Sequence, residues 1–477
     1  MKKTLFICLL STLCLFAAAH SGKVRFHVII DTDGAADDLR AICMLLADRE
    51  AEVLAVTTSE GALTPDIAAQ KVTSLLHHFH HEGIPVGVGR SLGIESPAWR
   101  KQSENINWGE PVVRNAPFIS AKEIIINSLE NETAPVTLIC LGTMTNLNDV
   151  LTDRPQLKES IERVIWYGSS AQPPRGSNYE GDKAAADKIL SSGLTVEIVS
   201  GNEQLPVVID DDYFKMIEQA GGIYAGKIVD SHNSEALAPV IKSKHIKAWD
   251  DLTAVFLFAP DLFVGKQVSP TVSSYNIETR QALEQAKQTI AKILAETDSD
   301  SRLFASFPED SALFDADVAA VMKNLIAKHG RSEWRAGVIA NELHGHLGVY
   351  AIIGVKMGIR AREYFNIGVD DIVVESYAGS QPPVSCMNDG LQVSVGATIG
   401  HGLISIAATS DIRPEASFSF KGKTLRLRLK QEYARQIADD VMECIRRDGN
   451  FTKEYWQSIR QLALRYWLQF DRHEIFE

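Results

Sequence analysis

Four aspartates fall within eight residues near the start of the chain: Asp31, Asp33, Asp37 and Asp38, in Ile29-Ile30-Asp31-Thr32-Asp33-Gly34-Ala35-Ala36-Asp37-Asp38. Carboxylates this close repel one another unless a cation neutralises them, and an all-oxygen donor set suits a hard cation such as Ca²⁺ or Mg²⁺. An Asp N-cap on a solvated turn accounts for one or two of them, not for all four. The stretch therefore reads as a metal or catalytic site. An EF-hand loop is excluded, because Ile42 stands where that loop needs its bidentate Glu.

The elements around the aspartates place them. Val28-Ile29-Ile30 reads as a buried strand, and the apolar residues from Leu39 to Leu46 recur at helical spacing. The cluster thus sits where a strand ends and a helix begins, the crevice in which open α/β sheets bind ligands. Further strands are expected at 51–57, 85–88, 136–141, 163–167 and 195–199, with helices near 67–80, 121–129, 184–191 and 211–219. This alternation predicts an α/β fold with a doubly wound, mostly parallel sheet. A helix over 281–300 runs into a polar stretch, and the pattern changes beyond it. A helix at 316–328 leads to a Gly- and His-rich stretch at 341–358, and 390–402 is rich in small residues. Thr424 to Leu429 alternates as a half-exposed strand, and 431–470 is amphipathic helix. Two domains are expected, 20–305 and a smaller α+β domain over 306–477.

Composition narrows the partners. A formal net charge of −13 argues against nucleic acid or an anionic membrane. Lys2-Lys3, an apolar stretch at 4–16 and Ala17-Ala18-Ala19 read as a secretory signal over 1–19, too short to span a membrane, so a secreted, periplasmic protein is expected. Beyond that signal stand Cys43, Cys140, Cys386 and Cys444, too widely spaced for a disulfide framework.

Three more stretches join the aspartates: Leu141-Gly142-Thr143-Met144-Thr145-Asn146, Asn178-Tyr179-Glu180-Gly181-Asp182, and Trp249-Asp250-Asp251-Leu252-Thr253-Ala254. Their order and spacing over about residues 24–265 resemble the nucleoside hydrolases, the inosine–uridine-preferring family. The resemblance implies Ca²⁺ held by Asp33, Asp38, the Leu141 carbonyl and Asp250. It implies that Asp33 deprotonates the attacking water, that Asp37 and Asn178 hold ribose hydroxyls, and that Asp31 stands behind them. The implied substrate is a small-molecule nucleoside or related N-riboside, and the implied products are a free base and ribose. A homo-oligomer is expected. The residue types suit this chemistry in their own right. An oxocarbenium-like transition state is stabilised by carboxylates, a cation activates and positions water, and acids and amides hold hydroxyls. The chain departs from the family pattern at Gly61-Ala62, where an Asn is usual, at Ser170 and Gly176 in the ribose pocket, and at Trp249 in place of a His. Trp249 is therefore a candidate for stacking on the base.

Within 341–402, Glu342-Leu343-His344-Gly345-His346 and Cys386-Met387-Asn388-Asp389-Gly390-Leu391-Gln392 resemble the FmdE family of formylmethanofuran dehydrogenase proteins, over about residues 315–445. That resemblance implies a transition-metal site, Zn²⁺ by donor type, on His344, His346 and Cys386. The family often has cysteine where this chain has Gly348 and Ala397, with His401 nearby.

Two other functions compete. One is a metal- and nucleoside-binding module without turnover. The other is a haloacid-dehalogenase-like phosphatase with Asp31 as nucleophile and Asp33 as acid/base. The latter leaves Asp37, Asp38 and Asp250 unexplained and lacks a hydroxyl residue after Gly34. His77-His78-Phe79-His80-His81 has no evident carboxylate or Cys partner and reads as a solvated helix end. Trp456 and Trp467 are expected in a core or interface.

Overall fold

Val28, Ile29 and Ile30 are wholly buried in strand β1 (Phe26–Thr32), as an apolar run must be in a parallel strand covered on both faces. The computed structural model describes residues 24–233, 237, 241–244, 246–295, 303–304 and 306–477. The expected signal at 1–19 and the polar stretch after 295 lie outside the described residues.

β1 belongs to a nine-stranded sheet with β2 (Ala51–Thr58), β3 (Val86–Val88), β4 (Ile119–Ser120), β5 (Val136–Cys140) and β6 (Ile161–Tyr167). A two-stranded ribbon follows, β7 (Ser170–Ala171) and β8 (Pro174–Arg175). The large sheet is completed by β9 (Val196–Val199), β10 (Val264–Ser269) and β11 (Val272–Asn276), in the order β10-β11-β9-β6-β5-β1-β2-β3-β4. Every pairing is parallel except β10 with β11. That hairpin was not anticipated: β10 lies on the edge with no buried residue, so no in–out alternation marks it. β1 has β2 on one side and β5 on the other, which makes the β1/β5 boundary the switch point of the winding. Apolar cores fill both faces, one around Ile30, Leu45 and Phe256, the other around Ile29, Leu138 and Trp166.

The second region has its own core, around Trp334, Met357, Leu391, Phe418 and Trp467. Three helices, Ala316–His344, Val349–Phe365 and Met387–Val395, pack together beside a four-stranded sheet. Its strands are β12 (Val373–Ser376), β13 (Ile404–Ile406), β14 (Glu415–Phe420) and β15 (Lys423–Arg428), in the order β13-β12-β14-β15. The helices Gln431–Asp448 and Lys453–Gln469 close the chain. The Gly- and His-rich stretch divides at Gly345, whose left-handed backbone (φ +81°) ends one helix before the next begins. Trp467 stacks on Trp334 in this core, with ring centroids 5.5 Å apart, whereas Trp456 stays partly exposed. Among the described residues no helix is long and apolar enough to cross a membrane.

The two regions meet at the N-terminal ends of the large sheet. Lys421, in the tight β14–β15 turn, reaches His27, Glu52 and Glu132 at the starts of β1, β2 and β5. The Gly83 N–H donates to the Tyr364 carbonyl at 2.9 Å, and Lys423 donates to the Gly83 carbonyl at 3.0 Å. The histidine run lies here: His77 and His78 are exposed at the end of the helix Pro65–His78, as expected, whereas His80 and His81 are not solvated. His81 is 3 % exposed and spans the Glu363 carbonyl (2.6 Å) and the Tyr224 hydroxyl (2.7 Å), while His80 stacks on His473 at 3.6 Å. Its partners come from about 140 or more residues away in sequence, which local pattern cannot show.

Candidate active site

The aspartates emerge at the opposite, C-terminal end of β1. Asp31 pairs in register with Thr57 on β2 and Cys140 on β5. One of its oxygens accepts hydrogen bonds from Thr57 Oγ1 (2.7 Å) and Asn146 Nδ2 (2.8 Å), and the other is buried without a partner. Burial outweighs those two bonds and pushes its pKa up to about 6. Asp33 is pushed up to about 7, chiefly by burial and then by the charges of Asp37 and Asp31. Its carboxylate rests against Gly61, where a Cβ would come within 2.1 Å of Oδ2. A side chain at 61 would therefore collide with Asp33, which gives the Gly61-Ala62 departure a physical reason.

Asp38 opens the helix Ala36–Ala47 and is buried. Its Oδ2 accepts hydrogen bonds from the Thr32 hydroxyl (2.6 Å) and the Asp33 N–H (2.9 Å), while Oδ1 is buried without a partner. Asp250, just before the helix Asp251–Phe258, likewise has a buried Oδ1 without a partner. Asp37, Asp38 and Asp250 each bring one oxygen to within 4.8 Å of the other two. Burial first, and their mutual repulsion second, hold the pKa of Asp38 and of Asp250 well above the carboxylate range. A buried cation, Arg40, lies in the field of Asp37 but is paired with a different carboxylate. Arg40 forms two hydrogen bonds to Asp251, each 2.8 Å, with both side chains fully buried. This pair ties the helix carrying Asp38 to the helix that follows Asp250. Orphaned oxygens converging at a switch point, with no ion pair to Asp37, Asp38 or Asp250 among the described residues, fit a hard divalent cation.

The structure gathers Asp33, Asp37, Asp38 and Asp250 in one place, with a difference in grouping. The tight three-oxygen group contains Asp37, expected on ribose, and does not contain Asp33, expected on the metal. The Leu141 carbonyl accepts a hydrogen bond from Asn178 Nδ2 at 2.8 Å, and the same amide reaches the Tyr167 carbonyl at 3.2 Å. Asn178 thus spends its two amide protons on the backbone that frames the site. Trp249 is 38 % exposed and lies over Gly201, where a Cβ would meet its Cδ1 at 3.4 Å. Ser170 lies in the β7–β8 ribbon, paired with Arg175, and Gly176 (φ +115°) precedes the short helix that carries Asn178.

Sequence reasoning missed Tyr167, the last residue of β6. Its hydroxyl lies against Gly201 beside Trp249, and the charges of Asp250 and Asp37 add to burial in driving its pKa far above that of an ordinary phenol. The available signal was its place at the C-terminal end of a predicted strand of a doubly wound sheet.

In the second region, His344 Nδ1 lies 2.7 Å from Asp389 Oδ2, and His344 Nε2 is buried without a partner. The His344 and His346 rings are 4.4 Å apart, and burial and His344 lower the His346 pKa. Cys386 stands at the start of the helix Met387–Val395, its thiol pKa raised by burial and by Asp389. Among the described residues no group of three close ligand atoms includes His344, His346 or Cys386. His401 faces Asp370 at 3.5 Å instead.

Residues 28–305 match the family described as inosine-uridine preferring nucleoside hydrolase. Residues 343–477 match the one described as FmdE, molybdenum formylmethanofuran dehydrogenase operon. Over 186 residues the chain is 31 % identical to the pyrimidine-specific ribonucleoside hydrolase RihA of Shewanella baltica, covering 36 % of this chain and 57 % of that one. It is 28 % identical over 187 residues to the non-specific ribonucleoside hydrolase RihC of Klebsiella pneumoniae, covering 36 % of this chain and 60 % of the relative. The chain thus spans less than two thirds of the length of these two relatives. A solved plant nucleoside hydrolase superposes with a TM-score of 0.49 at 19 % identity, over 57 % of this chain and 99 % of its own.

Proposed function

The chain belongs to the inosine-uridine preferring nucleoside hydrolase family, and on that premise we propose that it is a calcium-dependent hydrolase of the N-glycosidic bond of ribonucleosides or related N-ribosides, releasing the base and ribose. One observation carries this reading: the buried, unpartnered oxygens of Asp38 and Asp250, with an oxygen of Asp37 alongside, at the switch point of the sheet. Asp38 and Asp250 hold the cation, with Asp33, the Leu141 carbonyl and, on the geometry, Asp37 as further oxygens. Bound calcium supplies positive charge that positions water and lowers its pKa. Asp33, beside the other carboxylates, takes the proton from the attacking water as general base. The carboxylates then face the positive charge that develops on the sugar. Asp37 binds ribose hydroxyls. Asn178 contributes by holding the Leu141 and Tyr167 carbonyls in place, and Trp249 offers a face to the base.

Ribose release from a nucleoside panel with added Ca²⁺, read as reducing sugar, tests the proposal against Asp33→Ala. Release by the wild type and loss of it in the variant are expected. Calcium binding without release from any nucleoside would overturn the hydrolase and leave a binding module.

For the second region we propose a zinc site on His344, His346 and Cys386, supported by the orphaned Nε2 of His344. Asp389 fixes the imidazole through Nδ1, as carboxylates behind metal-bound histidines do. Zinc content that does not fall in His344→Ala would refute it. We also propose that the protein is secreted to the periplasm and acts on nucleosides there.

A further inference from the structure

Breaking an N-glycosidic bond leaves an electron pair on a nitrogen of the departing base, and that nitrogen needs a hydrogen-bond donor in the transition state. Most donors around the carboxylates are already committed. Thr32 donates to Asp38, Thr57 to Asp31, and Asn146 to Asp31 and the Thr58 carbonyl. Asn178 is spent on two backbone carbonyls, and Trp166 on the Gly142 carbonyl. Ser59 Oγ and the Tyr213 hydroxyl, which have no partner, are themselves buried. The Tyr167 hydroxyl, which accepts from the Gly201 N–H, and Trp249 Nε1–H have no protein acceptor among the described residues, and both flank Gly201. A Cβ at 201 would lie 3.4 Å from Tyr167 Oη and 3.9 Å from Trp249 Nε1. Gly201 therefore leaves open the space onto which both groups face.

We propose that Tyr167 is a catalytic residue whose hydroxyl donates the hydrogen bond to the departing base, with Trp249 as the apolar wall beside it. This rests on the hydrolase reading above. Tyr167 terminates β6 at the same edge of the sheet as the aspartates, and it is half-buried with its hydroxyl in the field of Asp250 and Asp37. An ordinary phenol is protonated at neutral pH, so the hydroxyl is a donor there. The step balances without a co-reactant. The C1′–N bond breaks with its pair going to the base, and a C1′–O bond forms to water. The water proton passes to Asp33 and by solvent to the base. Tyr167 keeps its own proton throughout.

The experiment compares a nucleoside with p-nitrophenyl β-D-ribofuranoside, whose phenolate departs without a donor. In the calcium-loaded full chain, Tyr167→Phe should lower kcat/KM on the nucleoside by about 10²–10³-fold. On the nitrophenyl riboside the loss should stay under about tenfold, because that leaving group makes little demand on a donor. Trp249→Phe keeps the ring and loses the N–H, and its ratio of the two rates should stay close to wild type. Equal losses on both substrates in Tyr167→Phe, or none, overturn the inference while the hydrolase stands. A ratio that collapses in Trp249→Phe and not in Tyr167→Phe overturns it too, moving the donor to the indole. Loss of calcium binding in Tyr167→Phe, read by calorimetry, makes Tyr167 a support for the carboxylates and also overturns it. A wild type that cleaves neither substrate ends the hydrolase reading, and this inference with it.

Discussion

The carboxylate cluster of the first region and the imidazole–thiolate group of the second are both collections of metal-ligating side chains, yet they are built differently. Asp31 and Asp33 extend a buried strand, and Asp38 and Asp250 open helices locked together by a buried ion pair. Ionising these groups carries a large desolvation cost, an arrangement that persists only where the frame over-determines it. His344 ends a helix, His346 follows a glycine turn and is exposed, and Cys386 begins another helix. Of the three, His344 is hydrogen-bonded to a side chain, Asp389, while His346 has ring contacts with His344 and Trp456. The first site is prebuilt, whereas the second would have to tighten around the zinc proposed for it. They also lie apart. The second region docks on the N-terminal ends of the large sheet, so all of β1 separates that contact from the aspartates, a span of roughly 23 Å for its seven residues.

Several changes would break or sharpen this contrast. Asp250→Asn should abolish calcium binding by calorimetry and cut nucleoside turnover by about 10³-fold. The same change should make the metal-free protein more stable, by about 1–2 kcal/mol in denaturant, because it removes one repelling buried carboxylate. A prebuilt site requires that opposition, and a less stable metal-free variant would argue against it. Arg40→Met should cost about 3–5 kcal/mol in the unfolding transition of the first region, since Asp251 is left buried without its partner.

In the second region Asp389→Ala should weaken zinc about 10–100-fold in a competition with a chelator. Nucleoside turnover should not change, because the second region docks at the end of the sheet opposite the aspartates. A shared fall in turnover would show coupling that the separation does not allow.

Acidity separates the regions further. In the folded, metal-free protein Asp33 titrates at about 7 and Asp31 at about 6, against about 3.9 for an unfolded aspartate. Between those limits the folded state binds more protons than the unfolded one, so metal-free stability should fall as pH rises from about 4 to about 7. Calcium needs the ionised carboxylates, so its affinity should rise over the same range. Melting temperatures in EDTA and in calcium across that range check both signs. The smallest effect is expected where the regions meet: Lys421→Ala removes a partly exposed ion pair to Glu52 and Glu132 and should cost about 1 kcal/mol in denaturant.

Much of the first site was legible because its groups are local. Four aspartates at a strand–helix junction carry their repulsion in the sequence, and apolar runs such as Val28-Ile29-Ile30 mark buried parallel strands without any partner in view. The β10–β11 hairpin was invisible for the converse reason, since an exposed edge strand leaves no alternation. His81 was misread because a histidine buried against Glu363 and Tyr224 differs in no local way from one in water.

The chain by itself pointed to the family, to two regions and to the residue types of both candidate sites, because periodicity and charge density act over a few residues. Tertiary structure alone decided which carboxylates converge. It placed Asp37 with Asp38 and Asp250, since Asp250 returns from more than 200 residues away on a helix held by Arg40. It also turned Tyr167 toward that cluster and set the second region at the opposite end of the sheet. Those outcomes depend on long-range packing, where the partner of each group is chosen by the fold and not by its neighbours in sequence.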